Sequence, residues 1–174
     1  MTVMEIRIPP DLTVDDLDEL HLDGRYELHE GNLVIMSPAL PWHYDFGWRL
    51  VNYFRRRGRH ANGEVGLKLG ESELRVPDVA VFHGPFDRRR TNFKPSDIAI
   101  AIEVVSPSSE IQDSITKPWQ YAHAGIPEYW RVESTEDTDD ATIHQFVLGQ
   151  DADGEPAYRK SGETRLSELE KGAG

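Results

Sequence analysis

Cysteine is absent from this 174-residue chain, which excludes a disulfide scaffold and any zinc–thiolate site. Long apolar runs are missing too: no stretch approaches the roughly 20 residues needed to cross a bilayer, so no membrane-spanning segment is expected. The opening Met1-Thr2-Val3-Met4-Glu5 lacks the charged-then-apolar layout of an export signal, and a cytoplasmic location is the default expectation. Positive charge is scarce. With 19 Lys and Arg against 31 Asp and Glu, the formal net charge is −12, which argues against avid, nonspecific attraction to polyanions. Any contact with a polyanion must therefore be local. Two basic clusters could supply it, Arg55, Arg56, Arg57 and Arg59, and Arg88, Arg89 and Arg90, although a solvated surface is the ordinary reading of each. Internal repeats and composition breaks are lacking as well, so one domain over 1–174 is expected.

What is present reads as a mixture of helices and strands. Thr13 is a plausible cap for a short helix between Asp11 and Leu22, with Val14, Leu17 and Leu20 on one side. Glu30-Gly31-Asn32 has turn chemistry between two strand-like arms, Tyr26–His29 and Leu33–Met36, and predicts a β-hairpin. From His43 to Arg57, Phe46, Leu50, Tyr53 and Phe54 recur at helical spacing. Strands are predicted at Glu64–Leu69, Val76–Phe82 and Ile98–Val105, the first two joined in a second hairpin about Gly70–Glu73. Gly84–Asp97 reads as a loop, and Ser106-Pro107-Ser108-Ser109 ends the third strand. A helix over Ser114–Ala124 is stopped by Gly125 and tolerates Pro118 only in its first turn. A strand at Glu128–Val132 and a last hairpin, Thr142–Val147 with Ala157–Lys160, complete the order. The acidic stretch Glu133, Glu136, Asp137, Asp139, Asp140 is a polar loop on this reading, and Trp119, Tyr129 and Trp130 are core or interface aromatics.

Two of these strands carry one acid each amid apolar residues, Asp78 and Glu103, 25 positions apart. Burying an ionised carboxylate is costly unless a cation or strong hydrogen bonds compensate it. Asp78 alone, following a proline, is ordinarily a turn or cap residue, but Glu103 inside an apolar strand is harder to dismiss. Adjacent strands would bring both to one divalent cation, and oxygen ligands suit Mg²⁺ or Mn²⁺. Such an ion can activate water against a phosphodiester. Lys117, opening the helix after the Glu103 strand, is the natural cation beside that water. Its place at a metal and a helix N-terminus would favour a depressed pKa. Gln120 and Tyr121 share its helical face.

The segments YELHEGNLVIMSP, VPDVAVF, IEVVSPSSE and KPWQYAHAGIPEYWRV resemble the Uma-two family of endonucleases, within the PD-(D/E)xK nuclease superfamily. The likeness covers about residues 20 to 160, with Pro77-Asp78, Glu103, Ser106-Pro107-Ser108, Asp113, Lys117, Tyr121, Gly125 and Glu128-Tyr129-Trp130 in the family's order. It implies an α/β (α+β) fold: a restriction-endonuclease-like α-β-β-β-α-β core with a mixed central sheet over about 24–160, plus an N-terminal helix and hairpin and a C-terminal hairpin. It also implies Asp78 and Glu103 as metal ligands and Lys117 as catalytic lysine. The position two after Glu103 holds Val105 rather than lysine, so the lysine's role passes to the following helix. The early YEL…G motif makes Glu27 and Glu30 candidates for a further carboxylate, and His43 heads the amphipathic helix that approaches the site. The implied function is metal-dependent hydrolysis of a nucleic acid, DNA in the first place. The alternative is an inactive nuclease fold kept as a binding or regulatory module, which the acidic balance favours. A homodimer is the expected assembly, since hairpins outside the core could pair.

Overall fold

A computed structural model describes residues 11–20, 24–106, 111–134 and 139–172. Leu22, Pro107, Ser108, Ser109, Glu136 and Asp137, named above, lie outside them, as does the Asp113 side chain. The first helix, α1 (Val14–Leu20), starts directly after the predicted cap Thr13. Its start is held by reciprocal capping: the Thr13 amide donates to the Asp16 carboxylate at 2.8 Å, and the Asp16 amide to Thr13 Oγ1 at 3.3 Å. The hairpin follows as β1 (Tyr26–His29) and β2 (Asn32–Ile35). Its two-residue turn places Glu30 at φ +50° and Gly31 at +81°, the paired left-handed conformation that tight hairpins need.

The amphipathic helix α2 (Pro41–Arg56) begins two residues before the predicted start because Pro41 occupies its first turn, where a missing N–H costs nothing. It buries His43, Phe46, Leu50 and Phe54. The next strands are β3 (His60–Gly63), β4 (Gly66–Gly70), β5 (Glu73–Arg75) and β6 (Val79–Phe82). Here the prediction needs correcting. The hairpin partner of β4 is β5, whereas β6 belongs to another sheet, so Val76-Pro77-Asp78 is the crossing between sheets and Asp78 stands just ahead of a strand. The loop after β6 contains a two-residue strand, β7 (Asn92–Phe93), and leads into β8 (Ile98–Val105).

Helix α3 (Lys117–His123) follows a π-type stretch over Gln112–Thr116, with Pro118 in its first turn and Gly125 beyond its end at φ +79°. Strands β9 (Glu128–Ser134), β10 (Ala141–Gln150) and β11 (Pro156–Arg165) and a short helix α4 (Leu166–Lys171) complete the chain. The last hairpin is longer than predicted, and β3, β7 and α4 were not anticipated by the sequence reading. Tyr129 and Trp130 are buried as expected, while Trp119 is 61% exposed and stacks on His123 with centroids 4.1 Å apart.

Two mixed sheets result, ordered β2-β1-β5-β4-β7 and β11-β10-β9-β8-β6-β3. Among the described residues, only β4–β7 and β8–β9 run parallel. As predicted, β8 is central and covered on both faces. Ile100, Ile102 and Val104 join Phe46, Leu50 and Phe54 of α2, and Ala101 joins Tyr121 and Leu67 on the opposite face. Period-two alternation therefore sends Glu103 to the α3 face, one position along from Val104.

Candidate active site

Among the described residues, the buried polar or charged side chains are Glu27, His43, Arg75, Asp78, Glu103 and Lys117, and all of them gather in one place. The fold brings them there from both sheets. β1 contributes Glu27, α2 contributes His43, the crossing after β5 contributes Asp78, β8 contributes Glu103 and α3 contributes Lys117. Antiparallel pairing of β6 with β8 sets Val79 opposite Ile102. Asp78, one residue earlier, reaches the backbone beyond: its Oδ2 accepts from the Val104 N–H at 2.7 Å.

Each acid is answered by cations and donors. Asp78 Oδ1 accepts from Arg25 Nη2 at 2.9 Å, and Oδ2 lies 3.3 Å from His43 Nε2. Burial alone would raise the Asp78 pKa, but the His43 hydrogen bond and the charges of Arg25, His43 and Lys117 hold it well below the usual carboxylate range. His43 responds in kind: burial opposes its charge, yet Asp78 pulls its pKa above the ordinary imidazole value. Glu103 accepts from Lys117 Nζ at 3.0 Å and from the Tyr121 hydroxyl at 2.6 Å. Burial and the neighbouring Glu103 and Glu27 charges push the Tyr121 phenol well above its normal pKa, so it remains a donor.

Glu27 joins this set. Its Oε1 accepts from the Val76 N–H at 3.0 Å and lies 3.6 Å from Lys117 Nζ. Its Oε2 meets His29 Nε2 at 2.8 Å and Arg75 Nη1 at 3.4 Å. Burial works against its charge, but His29, Lys117, the Val76 amide and Arg75 lower its pKa to about 2. Lys117 thus lies between two carboxylates from different sheets. Arg75 extends the network, pairing with Glu73 at 2.6 Å and donating from Nε to Gln120 Oε1 at 2.8 Å.

Glu30 is not brought in. It occupies the hairpin turn, exposed, with its backbone amide donating to Glu73 Oε2 at 2.9 Å; the turn geometry that Gly31 permits carries Glu30 outward while strand alternation carries Glu27 inward. Sequence reasoning missed Arg25 and Arg75. Their partners Asp78 and Glu27 lie 53 and 48 positions away, and the only signal available was the rule that a buried carboxylate needs a cation.

Asp78, Glu103, Lys117, His43 and Arg25 line an open cleft of about 470 Å³, with Ile35, Leu40 and Trp42 along its rim. Neither basic cluster lines it. No helix of the described residues is long and apolar enough to cross a membrane.

Comparison with known proteins agrees with this architecture. A crystal structure from Anabaena variabilis ATCC 29413, "a putative nuclease belonging to DUF820", superposes with a TM-score of 0.64 over 93% of this chain and 99% of that one, at 16% identity. No curated protein matches the sequence. The family model described as "Putative restriction endonuclease" matches residues 13–171, a span that includes every member of the buried cluster, and the chain belongs to that family, Uma2.

Proposed function

We propose that the protein is a metal-dependent endonuclease that hydrolyses phosphodiester bonds of DNA, with Asp78 and Glu103 as ligands of Mg²⁺ or Mn²⁺ and Lys117 assisting the attacking water. One observation carries this reading: the buried charges of the described residues form one cluster rather than isolated pairs, and His43, Asp78, Glu103 and Lys117 of it line one open cleft. A fold that needed only stability would gain little from them, since buried ion pairs are often no better than apolar packing.

The donor chemistry suits the ion. Both acids offer hard oxygens. A cation held by two carboxylates, water and phosphate is the habit of Mg²⁺ and Mn²⁺. Bound there, it would stabilise negative charge on the phosphate oxygens and lower the pKa of water.

The chain's own groups account for the rest. Lys117 Nζ, 3.0 Å from Glu103 and 3.6 Å from Glu27, would hydrogen-bond the attacking water and orient it at phosphorus. The water oxygen would join phosphorus as the ester P–O bond breaks, the water giving up a proton to solvent and the leaving oxygen taking one from solvent to depart as a hydroxyl. Tyr121 and the Val104 amide hold Glu103 and Asp78 in their rotamers, and Arg25 and His43 keep Asp78 ionised.

The test is nicking of supercoiled DNA in Mg²⁺ or Mn²⁺ by the wild type and by Asp78→Asn, Glu103→Gln and Lys117→Met. Metal-dependent nicking lost by about 10²-fold or more in each variant supports the proposal. A folded wild type that never nicks contradicts it. A second reading, an inactive nuclease fold serving as a binding module, is favoured by one feature: Arg25 and Lys117 already neutralise the two acids without any ion.

A further inference from the structure

A groove of about 390 Å³ leaves the buried cluster along α2, sharing His43 and Asp78 with the cleft. Its α2 wall is aromatic and open to solvent, with Tyr44 48% and Trp48 60% exposed. The core does not need them, because the same helix already buries Phe46, Leu50 and Phe54 on its other side. Positions 44, 48 and 55 fall on one helical stripe, with the core residue Val51 at the base of the groove between them. At about 1.5 Å per residue, that stripe runs about 16 Å from Tyr44 to Arg55. Arg55 donates to Asn62 Oδ1 at 2.8 Å, and Asn62 lines the groove. Beside Arg55, Arg56, Arg57 and Arg59 are exposed. Arg55 also donates to the Ala61 carbonyl at 2.9 Å and Arg57 lies over the Tyr53 ring, so the stripe leads from the arginine-bearing end of α2 past two open aromatic rings to Asp78.

We propose that this stripe is a track for single-stranded nucleic acid. Bases stack on Tyr44 and Trp48, backbone phosphates meet the arginines at the far end of α2, and the strand enters the cleft at Asp78. The proposal rests on the nuclease reading above and names its substrate class. Stacking on aromatic side chains needs bases with free faces, which a duplex does not offer along its length. Duplex binding relies on a row of phosphate contacts, and the cations lining the cleft, Arg25 and Lys117, are already committed to Asp78, Glu64, Glu103 and Glu27. Glu64, also on the groove wall, repels phosphate there and leaves that stretch to the bases.

The experiment is fluorescence anisotropy of the full chain with a labelled 12-nucleotide oligodeoxythymidylate and with a duplex of equal length, in EDTA. Cleavage of both probes in Mn²⁺ is read separately. Expected is tighter binding of the single strand, weakened about tenfold or more by Trp48→Ala and largely kept by Trp48→Phe. Arg56→Ala should reduce the slope of log affinity against log salt by just under one. Both residues are exposed, so these variants should fold. Equal or tighter binding of the duplex overturns the track, as does single-strand binding indifferent to Trp48→Ala. Sedimentation in which Trp48→Ala dissolves a dimer without changing oligonucleotide affinity also overturns it and gives the stripe to a second copy of the chain. Single-strand binding without cleavage supports the track while removing the nuclease reading; cleavage with duplex preference does the reverse.

Discussion

Asp78 has two oxygens and three donors, Arg25, His43 and the Val104 amide, and its ionisation governs that of His43. Because Asp78 outweighs the burial that would otherwise suppress the imidazolium, His43 should titrate above the ordinary imidazole range by NMR, and Asp78→Asn should bring it back to or below that range. The coupling has a sign in stability as well. A histidine whose folded pKa is raised stabilises fully below its unfolded pKa, and that contribution is lost as pH rises through the folded value. Glu27 behaves oppositely. Its pKa falls from 4.5 to about 2 on folding, so its contribution is complete above pH 4.5 and disappears between there and about 2. Up to about 3 kcal/mol is involved. Denaturant titrations across that window should show wild-type stability dropping with acid, and Glu27→Gln should flatten the drop; an unchanged slope would mean that Glu27 is not held ionised by its neighbours.

At the scale of elements, α2 and β4 make contrasting use of glycine. A Cβ on Gly47 would meet Val79 Cγ2 at 3.8 Å and the Asp78 carbonyl at 4.0 Å, ordinary contacts. Gly47→Ala should therefore raise stability by about 0.5–1 kcal/mol, visible as a higher denaturant midpoint, because glycine in a helix interior is unfavourable. A Cβ on Gly66 would fall 2.1 Å from Asn92 Oδ1 and 3.1 Å from the Thr91 carbonyl. Gly66→Ala should destabilise by about 1–3 kcal/mol as β7 is forced from β4, and a neutral result would mean that this pairing does not matter. The same elements show what a sequence discloses. β8 and α2 were legible because their apolar patterns are long and regular, and the β6–β8 pairing because Asp78, just ahead of β6, and Glu103, within β8, each place an acid beside apolar residues. The crossing at Val76–Asp78 was not, since Val76-Pro77-Asp78-Val79 reads as one extended run and only the sheet partners divide it. His60-Ala61-Asn62-Gly63 has little strand propensity and is a strand because β6 supplies its partner. α4 contributes a single buried residue, Leu166, too little for a periodicity. The sequence pointed to Asp78, Glu103 and Lys117, which the fold brings to one cluster; it did not point to Arg25 and Arg75, because only the folded chain brings them to their acids.

The molecule as a whole carries a charge of −12, yet at the seam between its two sheets it gathers buried acids with the arginines and lysine that balance them. The crossing from β5 to β6 makes that seam, so the cluster is complete only where both sheets are formed. Two carboxylates from different elements face one opening, where a cation would compete for them with Arg25 and Lys117; removing either acid would leave a single ligand held by a salt bridge. Calorimetric titration of Mg²⁺ and Mn²⁺ into the wild type, Asp78→Ala and Glu103→Ala tests this most directly. The account predicts a wild-type binding isotherm lost in both variants while circular dichroism shows them folded. Folded wild-type protein that binds neither ion at millimolar concentration, with or without DNA, would contradict it.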